Sequence, residues 1–205
     1  MAKSFIIIFV TIVLLLTIPS ISHAQARTNQ ADTSLSIAEI SKPTNWIARG
    51  GCWDFSRRII TGRGIGQRPI AYYSQKSFTD FVFEVRLRLL TDEDGSYGLV
   101  FRFDEKKDVG YIFGVWPHGG YEFARLDDFF AHQTGGGLAV YLKDQLKTWN
   151  RLKVVAKGAK FALYINDNLL VTMEDHSFRS GKVGFYLGHG PTSILEYEVL
   201  SLEAQ

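Results

Sequence analysis

The sequence predicts an all-β fold, two antiparallel sheets packed face to face, on three observations. Apolar residues recur with period two in several separate runs, turn-forming residues punctuate those runs, and sustained helical spacing is missing after the N-terminus. In 81–89, Phe81, Phe83, Val85, Leu87 and Leu89 point one way while Glu84, Arg86 and Arg88 point the other. Leu99, Phe101 and Phe103 oppose Val100 and Arg102. Phe161, Leu163 and Ile165 alternate with Ala162 and Tyr164, and Val183, Phe185 and Leu187 with Gly184 and Tyr186. Leu195, Tyr197 and Val199 oppose Glu196 and Glu198. Successive side chains flip face along a strand, so each run buries one face of a sheet.

Turn formers separate the runs: Asp92-Glu93-Asp94-Gly95, His118-Gly119-Gly120, Lys157-Gly158-Ala159-Lys160, Asn166-Asp167-Asn168 and Arg179-Ser180-Gly181. Asn, Asp and Gly tolerate the positive φ that tight hairpins require. Ten or so short strands with such punctuation read as a sandwich. Only 138–147 (LAVYLKDQLK) has mixed helical spacing, and one short helix or an ordered loop fits there.

Composition excludes several classes. The 205 residues are 46% hydrophobic, 21% charged and 14% aromatic, which is neither disordered nor collagen-like. A formal charge of +2 provides no field to recruit nucleic acid or an anionic membrane. One cysteine, Cys52, makes neither an internal disulfide nor a thiolate zinc cluster, and between Gly51 and Trp53 it reads as a small buried hydrophobe.

Residues 1–24 read as a cleaved signal peptide. Lys3 is the positive head, the run from Phe5 to Ile18 is apolar or threonine-containing, and Pro19 breaks it. Ser22 and Ala24 stand where signal peptidase reads small residues. The run is shorter than the roughly 20 residues that cross a bilayer, so no membrane span is expected in the mature chain. Loss of Lys3 with no acid lowers the formal charge from +2 to +1. Residues 25–44 are polar, a linker with an edge strand at Leu35–Ile40, and 45–205 form the sandwich. The expected location is the periplasm or outside the cell.

The order of the runs resembles a known family. Trp53 in an early strand, FTDFVFEVRLRL at 78–89, SYGLVFRFD at 96–104 and VGYIFGV at 109–115 carry the resemblance. So do TWNRLKVVAKGAKFALYINDNLLVTMED at 148–175, GKVGFYL at 181–187 and LEYEVLSL at 195–202. The chain resembles the 3-keto-disaccharide hydrolase-like, laminin-G-like domains of the concanavalin-A-like superfamily. The resemblance implies a jelly-roll sandwich that binds a carbohydrate or cell-surface glycan. It leaves open an enzyme acting on 3-keto-disaccharides, or a structural, protein-interaction sandwich.

Sugar recognition uses flat aromatic faces beside planar polar groups, and 111–132 is the richest such stretch. Ligand-binding candidates are Arg102, Tyr111, Trp116, Tyr121 and Arg125. Arg102 lies between Phe101 and Phe103, where an arginine needs a partner, Glu84 or Glu122, or a wet face. Glu122 and Arg125 alternate onto opposite faces, so a regular strand does not aim both into one groove. The Glu-x-Asp-x-x-Glu run of laminarinase-like relatives is missing, which argues against their two-carboxylate mechanism. Elimination beside a 3-keto group needs only a base, for which Glu122 and His118 are the candidates. Calcium would call on Asp92 and Asp94, or Asp127 and Asp128, but no ligand loop has the proper spacing, so no cofactor or metal is expected. The glycine-rich 62–68 lacks the Lys-Ser/Thr ending of a phosphate loop and reads as a wide hairpin. For the leader, N-terminal sequencing of exported protein should begin at Gln25; retention of Met1 would overturn cleavage.

Overall fold

The computed structural model describes residues 34–64, 68–91, 95–127, 130–143, 146–188 and 194–205. The expected signal peptide and most of the turn at 92–95 lie outside the described residues. A helical turn α1 (Ile37–Ile40) and a 3-10 turn (Pro43–Asn45) lead into β1 (Trp46–Arg49), β2 (Cys52–Asp54), β3 (Ile60–Arg63), β4 (Ile70–Tyr73) and β5 (Phe81–Leu89). Next come β6 (Tyr97–Asp104), β7 (Val109–Val115), β8 (Gly120–Asp127) and β9 (Phe130–Leu138). The chain closes with β10 (Asn150–Lys157), β11 (Lys160–Ile165), β12 (Asn168–Glu174), β13 (Lys182–Leu187) and β14 (Ile194–Ala204).

These strands form the expected sandwich of two antiparallel sheets. One has the order β1-β4-β13-β6-β7-β8-β9, the other β12-β11-β10-β5-β14-β3-β2. The alternation in β5 is realised in full: its odd-numbered residues are buried and its even-numbered ones half-buried. On the outside of this sheet Arg86 and Arg88 lie opposite Glu198 and Glu196 of β14, and both pairs are bonded. Cross-strand pairs of opposite charge support such a register. Between the sheets the core is largely aromatic, with Phe101, Tyr111, Phe123 and Phe161 in mutual contact at one end. Trp46, Phe185 and Tyr197 pack at the other.

Three expectations change. The edge strand at Leu35–Ile40 does not form: Ser36 caps a helical turn by accepting the Glu39 N–H at 3.1 Å, and only Ser34 bridges to Glu203. The signal was present as Ser-x-x-Glu, a helix-starting spacing. Cys52 is exposed, because β2 is an edge strand whose Trp53 packs on the core and therefore turns Cys52 and Asp54 outward. The described part of 138–147 contains no helix; it is a looped segment in which Asn150 grips Lys143 through both backbone groups, at 2.8 and 2.9 Å.

Arg102 departs most from the simple alternation. Strand β13 pairs Lys182 with Phe103 and Val183 with Phe101, and β7 also shifts register between Phe101 and Asp104, so Arg102 is the extra residue of a β-bulge. Its φ is 48°, in the left-handed region. A bulge re-aims a side chain, and this one sends the guanidinium inward, 2% exposed, 4.8 Å from the Phe161 ring. There it donates to the carbonyls of Thr79 at 2.7 and 3.2 Å, Phe178 at 2.9 Å and Gly158 at 2.6 Å. Its nearest carboxylate is Asp80 at 3.6 Å, not the expected Glu84 or Glu122. Gly181 makes the bulge feasible, since a Cβ there would stand 2.3 Å from the Arg102 carbonyl carbon.

Arg102→Met keeps bulk but takes the donor from the Thr79, Gly158 and Phe178 carbonyls. It should lower unfolding free energy by roughly 3 kcal/mol, read from urea midpoints; an unchanged midpoint would remove Arg102 as a fastener of the three loops.

Candidate functional site

The sheet β1-β4-β13-β6-β7-β8-β9 has an outward face built differently from its inward one. Directly opposed residues of antiparallel strands share a face. One outward row therefore reads Arg49, Ile70, Tyr186, Gly98, Gly114, Glu122 and Gly136 across the seven strands. The adjacent outward row reads Ile47, Tyr72, Gly184, Val100, Ile112, Ala124 and Gln133. In the first row no side chain stands between Tyr186 and Glu122. At the strand spacing of about 4.8 Å, this glycine floor separates their backbones by roughly 14 Å.

The two floor glycines are not equivalent. A Cβ at Gly98 would meet the Phe113 carbonyl oxygen at 2.1 Å, which is backbone and cannot yield. At Gly114 it would meet Glu122 Oε1 at 2.7 Å, the end of a flexible side chain. The Glu122 carboxylate thus lies back across Gly114, over the floor. Beyond it Trp116 covers Gly120, where a Cβ would fall 3.1 Å from the indole Cδ1, and Trp116 is 42% exposed.

The other wall is tyrosine and arginine. Tyr72 and Tyr186 are each 5% exposed, within an apolar cluster that includes Val100, Phe103, Ile112, Ala124 and Leu126. Burial raises the Tyr186 hydroxyl above the ordinary phenol value; the Glu122 charge adds to this, while a Ser96 hydrogen bond and Arg68 oppose it. Beside them Arg49 donates to Asp108 Oδ1 at 3.0 Å and to the Glu105 carbonyl at 3.0 Å. Arg68 Nη2 stands 3.8 Å from Asp108 Oδ2. Gly98 and Gly114 are themselves buried, and around this floor the face carries arginines, a carboxylate, a tyrosine hydroxyl and an indole, groups that suit a polyhydroxylated ligand.

The residues singled out in the sequence do not form one group. Trp116 and Glu122 belong to the outward face. Tyr121 turns inward and packs on the core, and His118 is exposed in the β7–β8 turn. Tyr111 and Arg125 oppose each other on the inward side, as the alternation argument required. Tyr111 is fully buried; its hydroxyl donates to Asp175 Oδ1 at 2.7 Å and accepts from the Phe178 N–H at 3.0 Å. Arg125 donates to Ser177 Oγ at 3.2 Å. Together with Arg102 they fasten the β12–β13 loop.

A pocket of about 280 Å³ opens beside this loop, lined by Arg102, Asp175, His176 and Arg179 among others. Arg102 offers a ligand little there, because its donors already serve carbonyls. Tyr72, Tyr186, Arg49 and Asp108 escaped sequence reading, since only register brings them beside Glu122. The glycines Gly98, Gly114 and Gly136 were the available signal. Asp92, Asp94 and Asp128, named for calcium, lie outside the described residues, and Asp127 is exposed at the end of β8. No three His, Cys, Asp or Glu cluster as metal ligands among the described residues.

Burial, with the Asp175 hydrogen bond, pushes the Tyr111 hydroxyl up to about 12. Burial alone would raise the Asp175 carboxyl, but hydrogen bonds from Ser177 and Tyr111 bring it below its ordinary value. The fold favours the protonated phenol, so its contribution is complete below the unfolded value of about 10 and is lost as pH rises towards about 12. Tyr111→Phe should therefore lose less stability than the parent between those limits in denaturant titrations. Equal losses would place the alkaline transition on other tyrosines.

With this geometry in place, comparison with known proteins is specific. The model of the 3-keto-alpha-glucoside-1,2-lyase-like domain matches residues 41–198. The levanase of Bacillus subtilis (strain 168) is 28% identical over 150 residues, covering 71% of this chain and 21% of the levanase. The chain thus spans about a fifth of that relative's length. Among solved structures, the carbohydrate-binding module CBM66 from Bacillus subtilis has a TM-score of 0.66 at 23% identity, over 78% of this chain and 96% of the module. A Bacillus subtilis protein of unknown function with a galectin-like fold has a TM-score of 0.58 at 13% identity, over 84% and 93% of the two chains. At these identities the structural likeness is one of fold. Matched by the family model over more than half of its length, the chain belongs to the 3-keto-alpha-glucoside-1,2-lyase-like domain family.

Proposed function

We propose that the protein is an exported carbohydrate-binding sandwich whose ligand lies on the outward face between Tyr186 and Glu122, and that it does not hydrolyse it. One observation carries this reading: the glycine row roots no side chain between a tyrosine and a carboxylate, with Trp116 at the rim and arginines at the opposite end. A floor without rooted side chains lets a flat ring approach the backbone once the flexible Glu122 side chain swings off Gly114, and the flanking groups orient its hydroxyls. The family match and the likeness to a carbohydrate-binding module support the same ligand class.

Hydrolysis with retention or inversion needs two carboxyl groups facing across the scissile bond. On this face Glu122 is the carboxylate on the floor, while Asp108 is engaged by Arg49 and Arg68. That arrangement suits holding a sugar better than cleaving it.

A second reading follows from the family match. Elimination from a 3-keto-glycoside requires one base to take the proton next to the carbonyl, and Glu122 stands where a ring on the floor would present it. His118, in its exposed turn, is the poorer candidate.

Calorimetric titration with neutral mono- and oligosaccharides, levan among them because a levanase is a relative, tests both readings. Gly114→Val should fold with little change in melting temperature, since the three atoms nearest its Cβ all belong to the flexible Glu122 side chain, yet weaken saccharide binding at least tenfold. No response at millimolar saccharide, or full affinity in Gly114→Val, would overturn the assignment. Turnover of a 3-keto-glucoside that disappears in Glu122→Gln would establish the enzyme instead.

A further inference from the structure

The opposite sheet carries a second pocket that the reading above does not use. It lies on the outward side of β5 and β10, has a volume of about 710 Å³, and is walled by Arg86, Tyr141, Lys143, Trp149, Arg151 and the β11–β12 turn. That volume is within the range of small-molecule sites.

The walls are held in place before any ligand arrives. Asn166 and Asp167 both have positive φ, 49° and 69°, the signature of a two-residue type I′ turn. Asn166 Nδ2 donates to the Tyr141 carbonyl at 2.7 Å and to Asn150 Oδ1 at 2.8 Å, and its Oδ1 accepts the Arg151 N–H at 2.9 Å. Asn150 grips the Lys143 backbone from both sides. The Trp149 ring is stacked by two guanidinium groups, with Arg86 at 4.8 Å and Arg88 at 4.6 Å from its centroid. A ring fixed in this way loses little freedom on meeting a ligand. Tyr141 is 41% exposed beside it.

The electrostatics select a sign. Carboxylates bordering this face are already engaged: Glu198 by Arg58 and Arg86, Glu196 by Arg88, Glu84 by Arg151 and Lys153, and Asp167 by Arg151. Lys143, also lining the pocket, makes no ion pair among the described residues. Among the described residues no carboxylate pairs with that ammonium, and the pocket sets Lys143 beside aromatic surface and amide groups.

We propose that this pocket is a second saccharide site, selective for sugar rings that bear a carboxylate or sulfate. The anionic group meets Lys143, and the ring lies against Trp149 and Tyr141. The site shares no residue with the Tyr186–Glu122 face, so the two readings stand or fall separately.

Calorimetry and tryptophan fluorescence of the whole chain with a uronic-acid oligosaccharide, a sulfated oligosaccharide and their neutral counterpart test the proposal. Binding of either anionic ligand at least tenfold tighter than the neutral one supports it, if that preference falls with salt and is lost in Lys143→Glu. Lys143 is exposed, so the substitution does not threaten folding; Gly114→Val should leave anionic binding intact. Equal affinity for neutral and anionic ligands, no binding of either anion, or full anionic binding in Lys143→Glu would overturn it.

Discussion

The bulge at Arg102 is the constraint on which one end of the sandwich depends. A regular strand would aim Arg102 with Val100 to the outward face. The extra residue instead turns its guanidinium into the core edge, where three carbonyls from three separate segments converge on it. Removal of that donor would strip all three carbonyls of a hydrogen bond from a charged group. The segment before β5, the β10–β11 turn and the β12–β13 loop are thereby tied to one side chain. Burial weakens the guanidinium's hold on its proton, while Tyr111 and Asp80 counter that. The Tyr111, Asp175, Ser177 and Arg125 network fastens the same loop from the neighbouring strands.

This fastening clears the outward face of groups that would otherwise crowd it. Arg102, Tyr111 and Arg125 all turn to the inter-sheet side, so the outward rows carry glycine, aliphatic residues, two tyrosines, Arg49, Gln133 and one carboxylate. The two sheets thus expose contrasting surfaces. One carries a buried glycine row between isolated polar groups; the other offers a dense ladder of cross-strand ion pairs with a cationic pocket at its side. No helix among the described residues is long and apolar enough to cross a membrane.

Much of this was legible in residue order. Period-two runs located β5, β6, β11, β13 and β14, because burial of one sheet face leaves no other way to arrange apolar side chains. Asn166-Asp167 announced its hairpin, since few residues accept positive φ in succession. The alternation that parted Glu122 from Arg125 also held. Where residue-by-residue reading failed, a neighbouring element had overruled local pattern. Cys52 looked buried between Gly51 and Trp53, but Trp53 took the inward position on an edge strand. Leu35–Ile40 looked extended, but Ser36 and Glu39 closed a helical turn.

The sequence by itself determined the sandwich and the buried face of its strictly alternating strands, because those follow from local alternation and turn chemistry. Only the tertiary structure decided which residues share a face of the seven-stranded sheet. Tyr186 and Glu122 are 64 positions apart in the chain and meet across two glycines because β13, β6, β7 and β8 lie side by side in one register. A strand's own pattern states which residues share its face, but not which strand comes next to it. That choice belongs to long-range pairing and to a single bulge, and it set the site.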